Sequence, residues 1–221
     1  KMERGRILDR IATLQRRVAL RAASDQALLV EGRLPILGVA VAWPSPLSRW
    51  TKLLTGSSLS DPAWRRVDRD GSPPVGVDRL IAARLNLAPE RSHALNDANA
   101  VALGAAFDRC RMPPRRGDGR LGGTILALRI GGGLGAGTVV IGSSADGRPR
   151  SPFLYTRLLE GAGGFAGGLG HWQVPSEDLA EVFGGTGSER KLLDRPCSCG
   201  RTRCLQSFAS ASAYAERMRV R

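Results

Sequence analysis

The sequence predicts an α/β protein of two lobes. Apolar residues at helical spacing alternate along the chain with short β-favouring runs, and a Pro- and Gly-rich stretch at Arg111 to Arg120 interrupts that alternation near its middle. The 221 residues suffice for one large domain or for two small lobes with a cleft between them. We expect a partial N-terminal α/β lobe over 1–112, and over 113–221 a C-terminal lobe with a glycine loop.

The elements follow in order. Ile7, Ile11, Leu14 and Val18 recur at helical spacing with Arg6, Arg10, Arg16 and Arg17 available for the other face, which predicts an amphipathic helix over about residues 4 to 22. Ile36 to Ala42 reads as a buried strand ended by Pro44 and Pro46. Thr55 to Pro74, rich in Ser, Asp, Gly and Pro, reads as a long surface excursion, and Val77, Leu80, Ile81 and Leu85 restore helical spacing. His93 to Leu95 looks like a strand end, after which Asn96 or Asp97 can cap a helix running to Arg109. Beyond the linker, Thr124 to Ile130 and Thr138 to Ile141 are β-favouring runs separated by glycines. A last helix is expected over Leu205 to Val220, and no internal repeat is visible.

Composition narrows the class. Apolar content of 42% suits a globular protein, no run approaches the roughly 18 apolar residues of a membrane span, and the start lacks a signal pattern. A soluble, cytoplasmic protein is expected. The chain opens at Lys1 with a pattern already helical, as an excerpt of a longer gene product would. The net charge of +13 invites a nucleic-acid reading. Against it, only Lys1, Lys52 and Lys191 of the 33 basic residues are lysine, the arginines are scattered, and no complete helix-turn-helix or aromatic-basic interleaving occurs.

Three constellations carry chemistry. The first is Cys197-Ser-Cys199-Gly-Arg-Thr-Arg-Cys204. Without an export signal, cysteines this close suggest a metal more than disulfides, and His171 is the natural fourth ligand of a tetrahedral zinc site because the only other histidine is His93. Reduced thiols beside a core histidine are the plain alternative. Cys110 sits apart and has no assigned role. The second is the run Gly131 to Gly137, whose glycines at 131, 133, 135 and 137 would let backbone amides approach a phosphate; a tight hairpin is the alternative. The third is Asn96-Asp97-Ala98-Asn99 at a strand-to-helix junction, where a carboxylate can accept a hydroxyl proton for phosphoryl transfer, or Asn96 or Asp97 can simply cap the helix.

Together these pieces resemble the bacterial family of repressors, open reading frames and sugar kinases called ROK, within the actin-like ATPase (ribonuclease H-like) fold. Ile36 to Pro46 looks like the small lobe's strand and proline turn, and Asn96 to Gly104 like the catalytic-base segment. Gly131 to Gly137 resembles the second phosphate loop, Gly161 to His171 the segment ending Glu-x-Gly-His, and Cys197 to Gln206 the motif Cys-x-Cys-Gly-x-x-Gly-Cys-Leu-Glu. The resemblance implies that Asp97 is the base and a sugar contact, that Asn96, His171 and Gln206 lie on the sugar side, and that His171, Cys197, Cys199 and Cys204 hold a structural zinc. It also implies frequent assembly into homo-oligomers.

The departures are specific. Gly168 stands where the family carries a sugar-binding glutamate, Gln206 replaces a second carboxylate, Gly132 a threonine, and Arg203 the glycine before the last cysteine. Trp172 to Pro196 reads as an inserted loop. The Asp-x-Gly-x-Thr phosphate loop is absent from these residues, and the family's last helices look cut off after Arg221. The expected function is therefore a sugar-responsive transcriptional regulator whose DNA-binding region lies outside this chain, with the sugar as effector. The alternative is an ATP- and magnesium-dependent kinase of a hexose or N-acetylated amino sugar, with Asp97 as general base.

Overall fold

A computed structural model of the chain describes residues 4–22, 38–49, 51–53, 75–111, 122–142, 156–183 and 196–220. The excursion at Thr55 to Pro74 and linker residues 112–120 lie outside them. The chain divides into two compact units, Lys1–Leu95 and Asn96–Arg221.

The first unit contains α1 (Arg4–Ala22), β1 (Val39–Trp43), α2 (Val77–Leu85), a 3-10 turn at Pro89–Arg91, and β2 (Ser92–Asn96), with β1 and β2 forming a two-stranded sheet. Its core is Trp43, Leu47, Val77, Ile81 and Ala94, onto which α1 turns Ile7, Leu8 and Ile11. Leu14 and Val18 remain exposed, so only the N-terminal half of the predicted stripe is covered. Arg84 of α2 reaches Asp9 of α1 at 2.6 Å on the surface. The described part of the first strand starts at Val39 and runs one residue past Ala42, to Trp43, before Pro44 stops it.

The second unit contains α3 (Asp97–Arg111), β3 (Gly123–Ile130), β4 (Leu134–Ile141), β5 (Thr156–Leu158), a 3-10 turn at Leu169–His171, α4 (Ser176–Phe183), α5 (Gln206–Ala209) and α6 (Ala211–Val220). The three strands form one antiparallel sheet in the order β3-β4-β5. Helix α3 lies on this sheet through Ala98, Ala102 and Ala106, a stripe of small residues at i, i+4, i+8 that is almost fully buried. Val139 and Ile141 complete the core, with Ile125, Ala127, Leu158 and the Cys110 thiol packed around it. Because α3 packs on β3 and β4, the division between units falls before this helix, earlier than the lobe boundary expected at 112.

Two further details depart from the sequence expectation. Strand β4 begins at Leu134, so Gly135 and Gly137 are strand residues. The single C-terminal helix is two, because Ser210 between them is extended (φ −80°, ψ 158°) and its Oγ accepts the Ala213 N–H, capping α6. Part of the Trp172 to Pro196 insertion is helical, as α4, and residues 184–195 lie outside the described structure.

Candidate metal centre and active site

At the strand-to-helix junction, Asn96 Oδ1 accepts the N–H groups of Ala98 (3.1 Å) and Asn99 (3.3 Å), and so satisfies donors that the first turn of α3 leaves free. Asn96 is thus the capping residue. The Asp97 carboxylate, mostly buried, accepts the Ala98 N–H at 2.8 Å through Oδ1, while its Oδ2 meets Arg129 Nη1 at 3.0 Å. Arg129 carries no motif signal in the sequence, and β3 delivers it to Asp97 only once α3 is seated on the sheet.

The glycine run is the β3-β4 hairpin, in register from Ile130 opposite Leu134. Gly131 donates to the Gly133 carbonyl at 2.9 Å, and the Gly131 and Gly132 carbonyls accept from Ala211 N (2.9 Å) and Ser212 Oγ (2.7 Å). Farther along, a Cβ on Gly137 would strike the Ala98 carbonyl, and one on Gly135 would lie 3.3 Å from the Ala98 methyl. Close helix-strand approach therefore explains Gly135 and Gly137 without any ligand. The turn at Gly131 to Gly133 is the part left available to phosphate, and Gly132 alone of the three has open space over it.

The segment from Gly161 to His171 lies along this hairpin. Ala136 N donates to the Gly167 carbonyl at 2.9 Å, and a Cβ on Gly167 or Gly170 would collide with the Ala136 or Leu134 carbonyl. That contact sets the path into the 3-10 turn presenting His171. Val174 N to Arg203 O (2.9 Å) and Leu205 N to Trp172 O (2.8 Å) then tie the residues after His171 to the cysteine segment. A tight turn, with Cys197 N to Arg201 O at 2.7 Å and Gly200 N to Cys197 O at 2.8 Å, gathers the sulfurs. Gly200 (φ 86°) and Arg203 (φ 55°) are both left-handed there.

His171, Cys197, Cys199 and Cys204 bring their ligand atoms within 4.8 Å of one another. His171 Nδ1 lies 3.6 Å from Cys197 Sγ, and Cys199 Sγ lies 3.6 Å from Cys204 Sγ. A tetrahedron with Zn–S near 2.3 Å and Zn–N near 2.05 Å has edges of about 3.5–3.8 Å, so these separations suit zinc, whereas a disulfide needs about 2.05 Å. Three sulfurs and one imidazole are the donor set of a structural site.

The thiols are unlike one another. Burial alone would raise Cys197 and Cys199, but hydrogen bonds outweigh it. The backbone at Cys199 and the Gln206 side chain hold Cys197 below the usual thiol value, and the backbone at Arg201, with neighbouring sulfurs, brings Cys199 down to about 7. Cys204 is pushed up to about 12 by burial and by the sulfurs beside it. A cation held there would offset that repulsion and so allow the third thiol to ionise.

Gln206 was expected on the sugar side. Its amide nitrogen lies 2.9 Å from Cys197 Sγ and 3.3 Å from Ser198 Oγ. Gly168 is an ordinary turn residue (φ −74°, ψ 33°) and brings no carboxylate to the site. Among the described residues no helix is long and apolar enough to cross a membrane.

Comparison with known proteins finds relatives among sugar kinases. The chain is 30% identical over 123 residues to the N-acetyl-D-glucosamine kinase of Pectobacterium carotovorum subsp. carotovorum (strain PC1), covering 54% of this chain and 30% of that protein. It is 32% identical over 120 residues to the glucokinase of Halalkalibacterium halodurans, covering 54% of this chain and 25% of the other. To the N-acetyl-D-glucosamine kinase of Yersinia pestis bv. Antiqua it is 28% identical over 120 residues, covering 54% and 36%. The chain thus spans about a third or less of the length of these curated relatives. No solved structure matches it. The model of the ROK family matches residues 39–221, most of the chain, and with the Asp97 junction, the glycine hairpin and the Cys/His cluster in place the chain belongs to the ROK family.

Proposed function

We propose that this chain is part of an ATP-dependent sugar kinase acting on a hexose or N-acetylated amino sugar. The observation that carries it is the Asp97 carboxylate, held at the strand-to-helix junction beside the glycine hairpin. The relatives' names support it over the regulator favoured from sequence, because those aligned to half of this chain are kinases. The α/β elements are consistent with the actin-like ATPase fold of the family.

Asp97 accepts the proton of the sugar hydroxyl as its oxygen attacks the terminal phosphoryl group of ATP. The backbone amide of Gly132, at the open tip of the hairpin, approaches the phosphates, and magnesium, when bound, neutralises charge on them. The Cys/His centre holds a structural zinc, since four protein ligands leave no open position for chemistry. His171 Nδ1 lies 3.6 Å from Cys197 Sγ and would be the nitrogen that holds the metal, which would leave Nε2–H to order the sugar side.

One observation favours a second reading. Arg129 holds Asp97 Oδ2, and neither Gly168 nor Gln206 supplies a carboxylate, so the site also suits a regulator that binds sugar without turnover. A coupled ATPase assay with magnesium, over glucose and N-acetylglucosamine, separates the two. Turnover that Asp97→Asn lowers by about 10²–10⁴-fold supports the kinase. Calorimetric sugar binding without turnover supports the regulator.

A further inference from the structure

We propose that Gln206 is a positioning residue of the metal centre, its amide fixing the sulfur of Cys197, and is not a ligand to sugar. The inference rests on the Cys/His cluster holding a metal. Gln206 Nε2 lies 2.9 Å from Cys197 Sγ and 3.3 Å from Ser198 Oγ, which places an N–H on a metal-facing sulfur. The opposite end of the amide is enclosed. A Cβ on Gly133 would come 3.1 Å from Gln206 Oε1, and one on Gly170 would come 2.9 Å from it, so two glycines leave just the room this oxygen occupies. The amide thus bridges the metal-binding turn and the glycine hairpin.

Chemistry fixes which end faces the sulfur. A carbonyl oxygen turned toward a thiolate would set two electron-rich atoms together, whereas the N–H donates to it and draws off charge. Three thiolates around a divalent cation leave the centre net negative, so an N–H donated to one sulfur stabilises it, a contact that the carboxylate of the family motif cannot make. The amide nitrogen is engaged at Cys197 and Ser198 while the oxygen sits against two glycines, which sets the side chain toward the metal-binding turn.

The test uses the full chain loaded with Co(II), whose thiolate-to-metal absorption reports on each Co–S bond. Chain, Gln206→Glu and Gln206→Met are compared for Co(II) affinity by chelator competition, for absorption, and for N-acetylglucosamine binding by calorimetry. The expected result is one Co(II) per chain, an affinity about 10–100-fold weaker in both variants, and a shifted charge-transfer band. Gln206→Glu keeps the size of the side chain, so it carries the test if Gln206→Met fails to fold by circular dichroism. Unchanged affinity and spectrum in a folded variant would overturn the proposal, as would loss of sugar binding with the cobalt spectrum intact. Absence of Co(II) binding in the unaltered chain would instead remove the metal centre itself.

Discussion

Arg129 and Asp97 form an ion pair across the face between β3 and α3, Nη1 to Oδ2 at 3.0 Å, with the arginine 45% exposed and the carboxylate 16%. The contact occupies one oxygen of the proposed base. An ion pair with a partner this exposed is worth about 0.2–1 kcal/mol. Opening it to admit a sugar hydroxyl should therefore slow turnover by no more than about fivefold. Arg129→Leu is expected to raise kcat by up to about that factor with little change in Tm. A kcat that falls in Arg129→Leu would mean that the guanidinium aids the reaction.

Metal removal should destabilise the second unit. Elemental analysis is expected to find about one zinc per chain, and stripping it with a chelator to lower Tm by roughly 5–10 °C. Cys204→Ser should lose the metal, whereas Cys110→Ser, altering a thiol packed with the α3 core, should keep it. Zinc retained in Cys204→Ser would break the assignment.

Metal affinity should rise with pH. Protons and metal compete for the same sulfurs, so the sign follows from where each thiol titrates. Cys199, held at about 7, gains a proton as pH falls through that value, and binding weakens below it. Cys204, raised to about 12, still carries its proton at pH 8, so binding there should release at least about one proton per chain. Calorimetry in buffers of different ionisation enthalpy measures that release.

Arg203 adopts φ 55°, a left-handed conformation costing a side-chain-bearing residue about 1–2 kcal/mol. Arg203→Gly removes that cost but adds chain entropy to the unfolded state, so a net gain of about 0.5–1 kcal/mol is expected by denaturant unfolding. A loss would show that the arginine side chain has contacts outweighing the strain.

The glycine run should separate into packing and loop positions. Gly137→Ala drives a methyl into the Ala98 carbonyl and should cost about 1–3 kcal/mol. Gly132→Ala meets nothing within 4 Å and should leave stability within about 0.5 kcal/mol while altering ATP affinity. Equal costs at the two positions would contradict this division.

Much of this was legible in the residues. The 4–22 helix, the strand end before Asn96, the hairpin strands and the His171 and cysteine ligand set all followed from spacing and donor chemistry, which act over a few residues. Other features escaped because their causes are distant contacts. Leu14 and Val18 match Ile7 and Ile11 in pattern yet stay exposed, and Ser210 breaks a helix that propensity alone would continue.

By itself the sequence determined the α/β class, the candidate metal ligands and the candidate base, since donor type and hydrophobic period are properties of the residues. Only the tertiary structure decided that Arg129 reaches Asp97, that Gly135 and Gly137 serve packing against α3, and that the Gln206 amide turns to Cys197. Each depends on how closely separate elements approach, and that distance is set by packed side chains far apart along the chain.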